Sequence, residues 1–137
     1  MNLTLFDFDG TITDRDTFAP FIYSAVSRVR VALGAALLSP MIAAYELGVL
    51  PATRMRTAMA WMSFRGRGED AVNEAGVAYA SSLTKVLRKE ALDRPRWHGD
   101  NGDQIVVVSA SLGAYLRPWC EGNGLELICT ELIGLAH

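Results

Sequence analysis

The spacing of hydrophobic residues changes twice along the chain. Short apolar runs, rich in β-branched residues, occupy Leu3–Phe6, residues 104–109 and residues 125–130. Each run predicts a strand, and residues 104–109, which lack polar alternation, are typical of a strand buried on both faces of a parallel sheet. Between the first run and the second, residues 17–94 carry apolar side chains three and four positions apart, which is the helical period. The pattern therefore predicts an α/β fold in which a long helical segment separates the first strand from a strand–helix–strand crossover.

Proline, glycine and serine predict where the helices begin and end. Pro51 is placed to open a helix and Gly66 to close it, and a later helical face is expected to stop before Pro95. The segment His98–Asp103 is rich in turn-forming residues, so we expect a loop before the second strand. Ser111 is placed to cap the helix that follows the second strand.

One stretch of the helical segment has no charged side chain. It runs for fifteen residues from Val31 to Tyr45 and is interrupted by Pro40. Because a spanning helix needs about 20 apolar residues, the stretch is short for crossing a bilayer. We expect a pair of buried helices meeting at Ser39-Pro40, and membrane contact is the less favoured alternative.

Charge divides the chain into the same regions. The net charge is −2 over 137 residues, which argues against a dedicated nucleic-acid-binding protein. Residues 28–96 hold eleven basic and six acidic side chains, whereas both flanks are acidic. The two cysteines, Cys120 and Cys129, are too few for a disulfide framework, and no signal peptide is recognisable. We therefore expect reduced cysteines and a cytoplasmic location.

Two carboxylates follow the first strand directly. Asp7 and Asp9 stand two positions apart and would repel each other unless a cation or a proton intervenes. Mg²⁺ prefers oxygen ligands and would relieve that repulsion, although two solvated aspartates in an ordinary turn are the alternative. An EF-hand calcium loop does not fit, because Ile12 and Phe18 stand where such a loop needs Gly and Glu. The sequence also lacks a P-loop and a dinucleotide-binding glycine motif.

The run Asp7-Phe8-Asp9-Gly10-Thr11 resembles the first motif of the haloacid-dehalogenase-like superfamily of phosphohydrolases. The run ending in Ser109-Ala110-Ser111 is similar to its second motif, a Ser or Thr at the end of the next core strand. The stretch from Trp97 to Leu112 resembles the phosphoserine-phosphatase-like branch, as does a helical insert directly after the first motif. The resemblance implies a Rossmann-like parallel sheet from residues 1–13 and 97–137, with residues 14–96 inserted as an α-helical cap.

The resemblance also implies roles for the residues of both motifs. Asp7 would attack a phosphate monoester and form an aspartyl-phosphate. Asp9 would protonate the leaving group and then activate water. The Asp7 carboxylate and the Asp9 main-chain carbonyl would bind Mg²⁺. Ser109 would hydrogen-bond the phosphoryl group, and main-chain donors from Ala110 onward would bind the same anion.

In this family the helical insert lies over the active site. Its basic charge would favour a small phosphorylated metabolite as substrate. Arg54 and Arg56 are candidate substrate contacts, with a solvated helix face as the alternative. His98, in the turn before the second strand, is interpreted as structural.

Two parts of the family's site are expected downstream of Ser109. One is a Lys that neutralises the nucleophile and the phosphate, and the other is an acidic pair whose Asp completes the Mg²⁺ site. After Ser109 the sequence contains neither Lys nor Asp. We therefore expect the first part of a phosphatase, truncated at its C-terminus, with weak or no activity alone and with self-association through an incomplete sheet edge. A noncatalytic remnant or binding module, and a membrane-surface protein, are the alternatives.

Overall fold

A computed structural model describes residues 1–132, which form three strands and seven α-helices. The strands are β1 (Leu3–Asp7), β2 (Gln104–Leu112) and β3 (Glu126–Thr130). The helices are α1 (Phe18–Ala25), α2 (Arg28–Leu37), α3 (Ser39–Glu46), α4 (Ala52–Phe64), α5 (Glu69–Ala80), α6 (Asp93–Asp100) and α7 (Gly113–Gly122). A π-helical turn, Phe8–Ile12, follows β1, and a 3₁₀ turn, Leu83–Val86, follows α5.

The three strands form one parallel sheet in the order β1-β2-β3. In this register Asp7 lies beside Val108, and Val108 lies beside Ile128. The predicted α/β fold with parallel strands is therefore confirmed. Because parallel strands end at the same edge, the residues that follow β1 and the last residues of β2 are brought together there.

The core lies between the sheet and the helices. Tyr115 and Leu116 of α7 are fully buried together with Phe8, Phe21 and Leu83. Helix α5 packs very closely against α7: a Cβ added at Gly76 would stand 1.9 Å from the carbonyl oxygen of Ala114. A glycine is required at this crossing, since any larger residue would meet main-chain atoms that cannot rotate away.

Within residues 1–132 the sheet is covered on one face only. Helix α6 reaches that face through His98, whose ring contacts Phe6, and through Gly99, which lies beside Ile105. On the opposite face Leu3 and Leu5 are 62% and 60% exposed, and Ile128 of β3 is 61% exposed. The expectation of burial on both faces concerned residues 104–109, and there Val106 and Val107, which point to opposite faces, are both buried, although Val108 is 36% exposed. The exposed apolar side chains therefore lie mainly on the outer strands, β1 and β3.

The boundaries of three elements differ from the prediction. The helical face expected to stop before Pro95 ends earlier, at Ala80 in α5 and at Val86 in the 3₁₀ turn. A separate helix, α6, which the pattern did not predict, starts at Asp93; it tolerates Pro95 because the third position lies in the first turn, where a helix does not need the amide N–H. The loop expected over His98–Asp103 is consequently reduced to the last three residues of that segment. Ser111 does not cap α7; it belongs to β2, and the N-cap position is Leu112, which has no side-chain cap.

Helix α4 agrees with the prediction, whereas α2 and α3 do not. Helix α4 starts directly after Pro51, and Gly66, with φ of 78°, follows its end. In α2 and α3, Gly34 alone is buried, so the expectation of a buried helix pair is wrong. No single described helix is long and apolar enough to cross a membrane, although α2 and α3 together, bent by 68°, pass that test by length and composition.

Candidate active site

The end of β1 presents the carboxylate of Asp7. This side chain accepts a hydrogen bond from the main-chain N–H of Phe8 (2.9 Å) and one from the hydroxyl of Thr11 (3.4 Å). Gly10, with φ of 76°, lets the chain turn away from the sheet. Arg88 donates to the carbonyl oxygen of Gly10 at 2.9 Å, which ties this loop to the residues that precede α6.

Asp9 accepts several hydrogen bonds from neighbouring elements. One carboxylate oxygen accepts from the amide (2.8 Å) and the hydroxyl (2.5 Å) of Thr17. The other accepts from the hydroxyls of Ser111 (2.5 Å) and Ser109 (3.4 Å). The Asp9 side chain is only 13% exposed. Donors from Thr17, directly before α1, and from β2 therefore fix the orientation of this carboxylate.

A second layer of tyrosines supports Thr17. The hydroxyls of Thr17 and Tyr115 are 2.8 Å apart, and because Thr17 gives its proton to Asp9, Tyr115 must be the donor. Tyr79 donates to the carbonyl oxygen of Thr17 at 3.1 Å. Burial raises the pKa of both phenols, that of Tyr79 to about 12, with the charges of Asp9 and Asp16 adding to the effect at Tyr79. Both phenols therefore stay protonated and able to donate.

Strand β2 contributes the serines of the second motif. Ser109 accepts a hydrogen bond from the amide of Ser111 (3.0 Å) while its own hydroxyl points to Asp9. Ala110, between them, is exposed, and its carbonyl oxygen accepts from Thr130 of β3 at 3.0 Å. The structure thus brings Ser109 and Ser111 to Asp9 and leaves Ala110, between them, exposed near the carboxyl end of β2.

Arg56 reaches this cluster from helix α4. Its Nη1 donates to Ser111 Oγ (3.1 Å) and lies 4.0 Å from Asp9, while its Nη2 donates to Asp16 at 2.7 Å. Its guanidinium also stacks over the ring of Phe18, with 5.2 Å to the ring centre. Arg54, the other candidate, is exposed on α4, and no partner for its side chain occurs within residues 1–132.

The remaining predicted residue, His98, lies in α6 and hydrogen-bonds Asp103 at 2.8 Å. The hydrogen bond from His98 holds the pKa of Asp103 below its ordinary value. His98 also contacts Thr4, near the start of β1, so it stands near the opposite end of the sheet from Asp7.

The described residues fit a magnesium ion only in part. Asp7 has an exposed carboxylate and fits the role of ligand. The side chain of Asp9 is occupied by its hydroxyl and amide donors, so only its main-chain carbonyl remains for a metal. Within residues 1–132, no three carboxylate, imidazole or thiol side chains cluster closely enough to hold an ion.

Sequence reasoning missed several members of this site. The sequence pattern predicts Ser111 to be a helix cap. Its place directly after Ser109 and Ala110, within the second motif, is the signal that could have identified it as a site residue. No sequence motif marks Thr17, Tyr79 and Tyr115 as site residues, since they meet only where α1, α5 and α7 pack together. Asp16 likewise lies close to Arg56 because of the packing of α4.

Comparison with known proteins defines the class of this chain. Residues 4–135 match the model of the haloacid dehalogenase-like hydrolase family. The chain is 31% identical over 130 residues to Protein CicA of Caulobacter vibrioides. The chain therefore belongs to the haloacid dehalogenase-like hydrolase family, as its first motif indicated.

Solved structures share the fold at low sequence identity. A protein of unknown function from Bordetella pertussis Tohama I has a TM-score of 0.66 at 18% identity, and the match covers 96% of this chain. A phosphoserine phosphohydrolase-like protein from Francisella tularensis subsp. tularensis SCHU S4 has a TM-score of 0.64 at 14% identity, covering 99% of this chain. Cytosolic 5'-nucleotidase IIIB bound to cytidine has a TM-score of 0.58 at 18% identity, also covering 99%.

The chain is shorter than all of these relatives. The match spans 56% of CicA, 61% of both bacterial structures and 51% of the nucleotidase. About two fifths or more of each relative therefore has no counterpart in this chain.

Proposed function

We propose that this chain carries the nucleophile and acid–base half of a phosphate monoester hydrolase that works through an aspartyl-phosphate. The observation that carries the proposal is the environment of Asp9. Two hydroxyls from β2 and two donors from Thr17 hold this carboxylate two residues after the exposed carboxylate of Asp7. A solvated turn does not need such a set of donors.

The two aspartates are suited to different roles. Asp7 is exposed, so its carboxylate oxygen can attack phosphorus while the P–O bond to the leaving alkoxide breaks. Asp9 in its protonated form gives its proton to that alkoxide, and the Asp9 carboxylate left by this step then takes a proton from the water that hydrolyses the aspartyl-phosphate, which restores the acid. The hydrogen bonds to Asp9 keep its carboxylate in one orientation, which proton transfer requires.

The remaining site residues favour an anionic substrate. Ser109, once a phosphoryl group is bound, can turn its hydroxyl from the long 3.4 Å contact with Asp9 to a phosphoryl oxygen. The main-chain amide of Ala110 lies at the open strand end, where it can donate to the same group. Arg56 supplies a fixed positive charge beside Asp9, so it is the stronger substrate contact, and Arg54 contributes at most to the field around the site.

Magnesium is the cofactor that this donor chemistry suits. The ion would be held by the Asp7 carboxylate and the Asp9 carbonyl, and it would supply charge neutralisation between the nucleophile and the phosphate. Because octahedral Mg²⁺ needs more ligands than these, the complete site requires water and further residues. This is the reason for expecting weak or no turnover from the 137 residues alone.

Beryllofluoride, a phosphoryl mimic, tests the proposal directly. We expect a protein-bound ¹⁹F NMR signal in the presence of Mg²⁺ that is lost in Asp7→Asn and retained in Asp14→Asn, a nearby aspartate already paired with Arg15. A signal that survives in Asp7→Asn would contradict the assigned nucleophile. Steady Mg²⁺-dependent hydrolysis of p-nitrophenyl phosphate, abolished by Asp7→Asn, would show that the expected deficiency of the short chain is wrong.

A noncatalytic remnant is the second candidate function. The observation that favours it is the absence, among residues 1–132, of a three-ligand acidic cluster near Asp7. This candidate predicts that the wild-type chain gives no bound ¹⁹F signal at any Mg²⁺ concentration.

A further inference from the structure

Helix α2 leaves a continuous apolar stripe uncovered. Val29, Leu33 and Leu37 are spaced four residues apart, so they lie along one side of the helix. Their exposed fractions are 70%, 59% and 68%. We call these three residues the α2 stripe. Large contiguous apolar patches on a soluble protein usually mark an interaction surface.

The apolar surface continues beyond the α2 stripe. Helix α3 has no buried residue, and Leu47 and Val49, which follow it, are largely exposed. Helices α2 and α3 have ten and eight residues and are bent by 68° to each other. This surface is therefore better suited to lying against a flat partner than to spanning a membrane.

A group of arginines lies at the N-terminal end of the α2 stripe. Arg30 donates to the main-chain oxygens of Met62 (3.3 Å) and Arg65, and Arg67 donates to the carbonyl oxygen of Ala25. We call Arg28, Arg30, Arg65 and Arg67 the basic cluster. Residues 28–67 contain six arginines and only one acidic side chain, Glu46.

An exposed tryptophan connects the arginines with the apolar surface. Trp61 of α4 is 47% exposed, and the guanidinium of Arg65 lies 4.7 Å from its ring centre. Tyr45, at the end of α3, is also exposed. Tryptophan and tyrosine are enriched where a bilayer meets water, because each has an apolar body and a polar group.

We propose that the α2 stripe and the basic cluster form a docking surface for a bilayer that contains anionic phospholipids. The apolar side chains enter the boundary between headgroups and acyl chains, and the exposed arginines of the cluster, Arg28 and Arg65, pair with lipid phosphates. Arg30 and Arg67 add positive charge beside them. The combination of apolar exposure, a strong excess of arginine and an interfacial tryptophan favours this partner. The inference concerns the cap alone and does not depend on the proposed phosphatase chemistry.

A second copy of the chain fits this surface less well. Its own cap would present the same arginines, and Glu46 is the one acidic residue between positions 28 and 67 that could pair with them. Bringing two basic caps together would therefore be opposed by charge repulsion, whereas an anionic bilayer supplies the missing opposite charge.

Vesicle co-sedimentation of the whole chain tests the proposal. We expect binding to phosphatidylcholine vesicles with about 30% phosphatidylglycerol that weakens in high salt and is much lower on pure phosphatidylcholine. Leu33→Glu should weaken binding at least about tenfold, because burial of one leucine side chain is lost and a negative charge is added. Arg28→Gln should weaken it about fivefold through the loss of one charge.

Val77→Glu is the matched control, since Val77 is 58% exposed on α5 and lies outside the docking surface. It should bind vesicles as the wild type does, and circular dichroism should show that both glutamate variants are folded. The proposal is overturned if the wild type does not bind anionic vesicles, or if Val77→Glu weakens binding as much as Leu33→Glu. A dimer in analytical ultracentrifugation that Leu33→Glu dissociates, without vesicle binding, would overturn it in favour of a second copy.

Discussion

Arg56 of helix α4 donates a hydrogen bond to Ser111 of strand β2, with 3.1 Å between Nη1 and Oγ. Ser111 in turn donates to Asp9 at 2.5 Å. Helix α4 is thus joined to Asp9 through the hydroxyl of Ser111, which lies 55 positions after Arg56 in the sequence. The position of α4 therefore determines how close the positive charge of Arg56 lies to the Asp9 carboxylate.

The first prediction concerns the anion affinity that Arg56 provides. Arg56→Gln removes a fixed positive charge beside Asp9, so orthovanadate should bind about tenfold to a hundredfold more weakly, as for the loss of a hydrogen bond to a charged group. Isothermal titration calorimetry in the presence of Mg²⁺ measures this affinity. Arg54→Gln is the control, because Arg54 is exposed on the same helix. Equal losses of orthovanadate affinity in the two variants would mean that the total positive charge of α4, and not the contacts of Arg56, determines the affinity.

Tyr115 is predicted to stabilise the site through Thr17. Tyr115→Phe removes the buried donor to the Thr17 hydroxyl and should lower the free energy of unfolding by about 1 kcal/mol. Urea denaturation followed by circular dichroism gives this quantity. The same change at exposed Tyr23 should have almost no effect, and a comparable loss there would show that the hydroxyl of Tyr115 contributes nothing specific.

The raised pKa of Tyr79 predicts a loss of stability at alkaline pH. Burial, followed by the charges of Asp9 and Asp16, raises the pKa of Tyr79 to about 12, compared with an ordinary value of 10.0. A group with a raised pKa in the folded state contributes stability that is complete below its unfolded value and is lost as pH rises through the folded value. The loss should therefore occur between about pH 10 and pH 12.

Absorbance at 295 nm, which reports tyrosinate, measures this titration. Tyr79→Phe should remove one late-titrating phenol and reduce the alkaline loss of stability. Asp16→Asn should move the pKa of Tyr79 downward, because one of the negative charges that raise it is gone. A titration curve of Tyr79→Phe identical in shape to that of the wild type would contradict the assignment.

The sequence predicted the parts of the fold that depend on local pattern. The β-branched run of residues 104–109 indicated a buried strand, and Gly66 indicated the end of α4, because both signals lie within a few residues. The bare face of the sheet could not be predicted, since a run such as QIVVVS is the same whether one face or two are covered. The exposure of α2 was missed for a related reason: apolar residues normally imply burial, and only the structure shows that Leu33 is 59% exposed among the described residues.

The candidate site was predictable only as far as its motifs extend. Asp7 ends β1, Asp9 follows it, and Ser109 lies near the end of β2; the carboxyl ends of neighbouring parallel strands lie at the same edge of the sheet. Thr17 reaches Asp9 because α1 starts there, and Tyr115 reaches Thr17 across 98 positions of sequence. Contacts of that kind depend on helix packing, which has no signature in a single sequence.

The crossing of α5 and α7 predicts a strict requirement for glycine. Gly76→Ala would place a methyl group 1.9 Å from the carbonyl oxygen of Ala114, so the helices must separate. Overpacking of this kind should lower the free energy of unfolding by about 1–3 kcal/mol. Gly122→Ala, at the end of α7 with open space around it, should be neutral or slightly stabilising. If both variants unfold at the same urea concentration as the wild type, the close approach of the two helices is wrong.

The uncovered face of the sheet leads to the last prediction. We propose that the chain self-associates through this face, on which Leu3, Leu5 and Ile128 are exposed, and through the edge of β1, which pairs with no further strand within residues 1–132. Sedimentation velocity should show larger species as concentration increases, and Leu5→Glu should shift the distribution toward monomer by placing a charge on the apolar face. Val77→Glu adds the same charge on α5 and should leave the distribution unchanged. A wild-type chain that remains monomeric at high concentration would mean that the exposed face does not drive association.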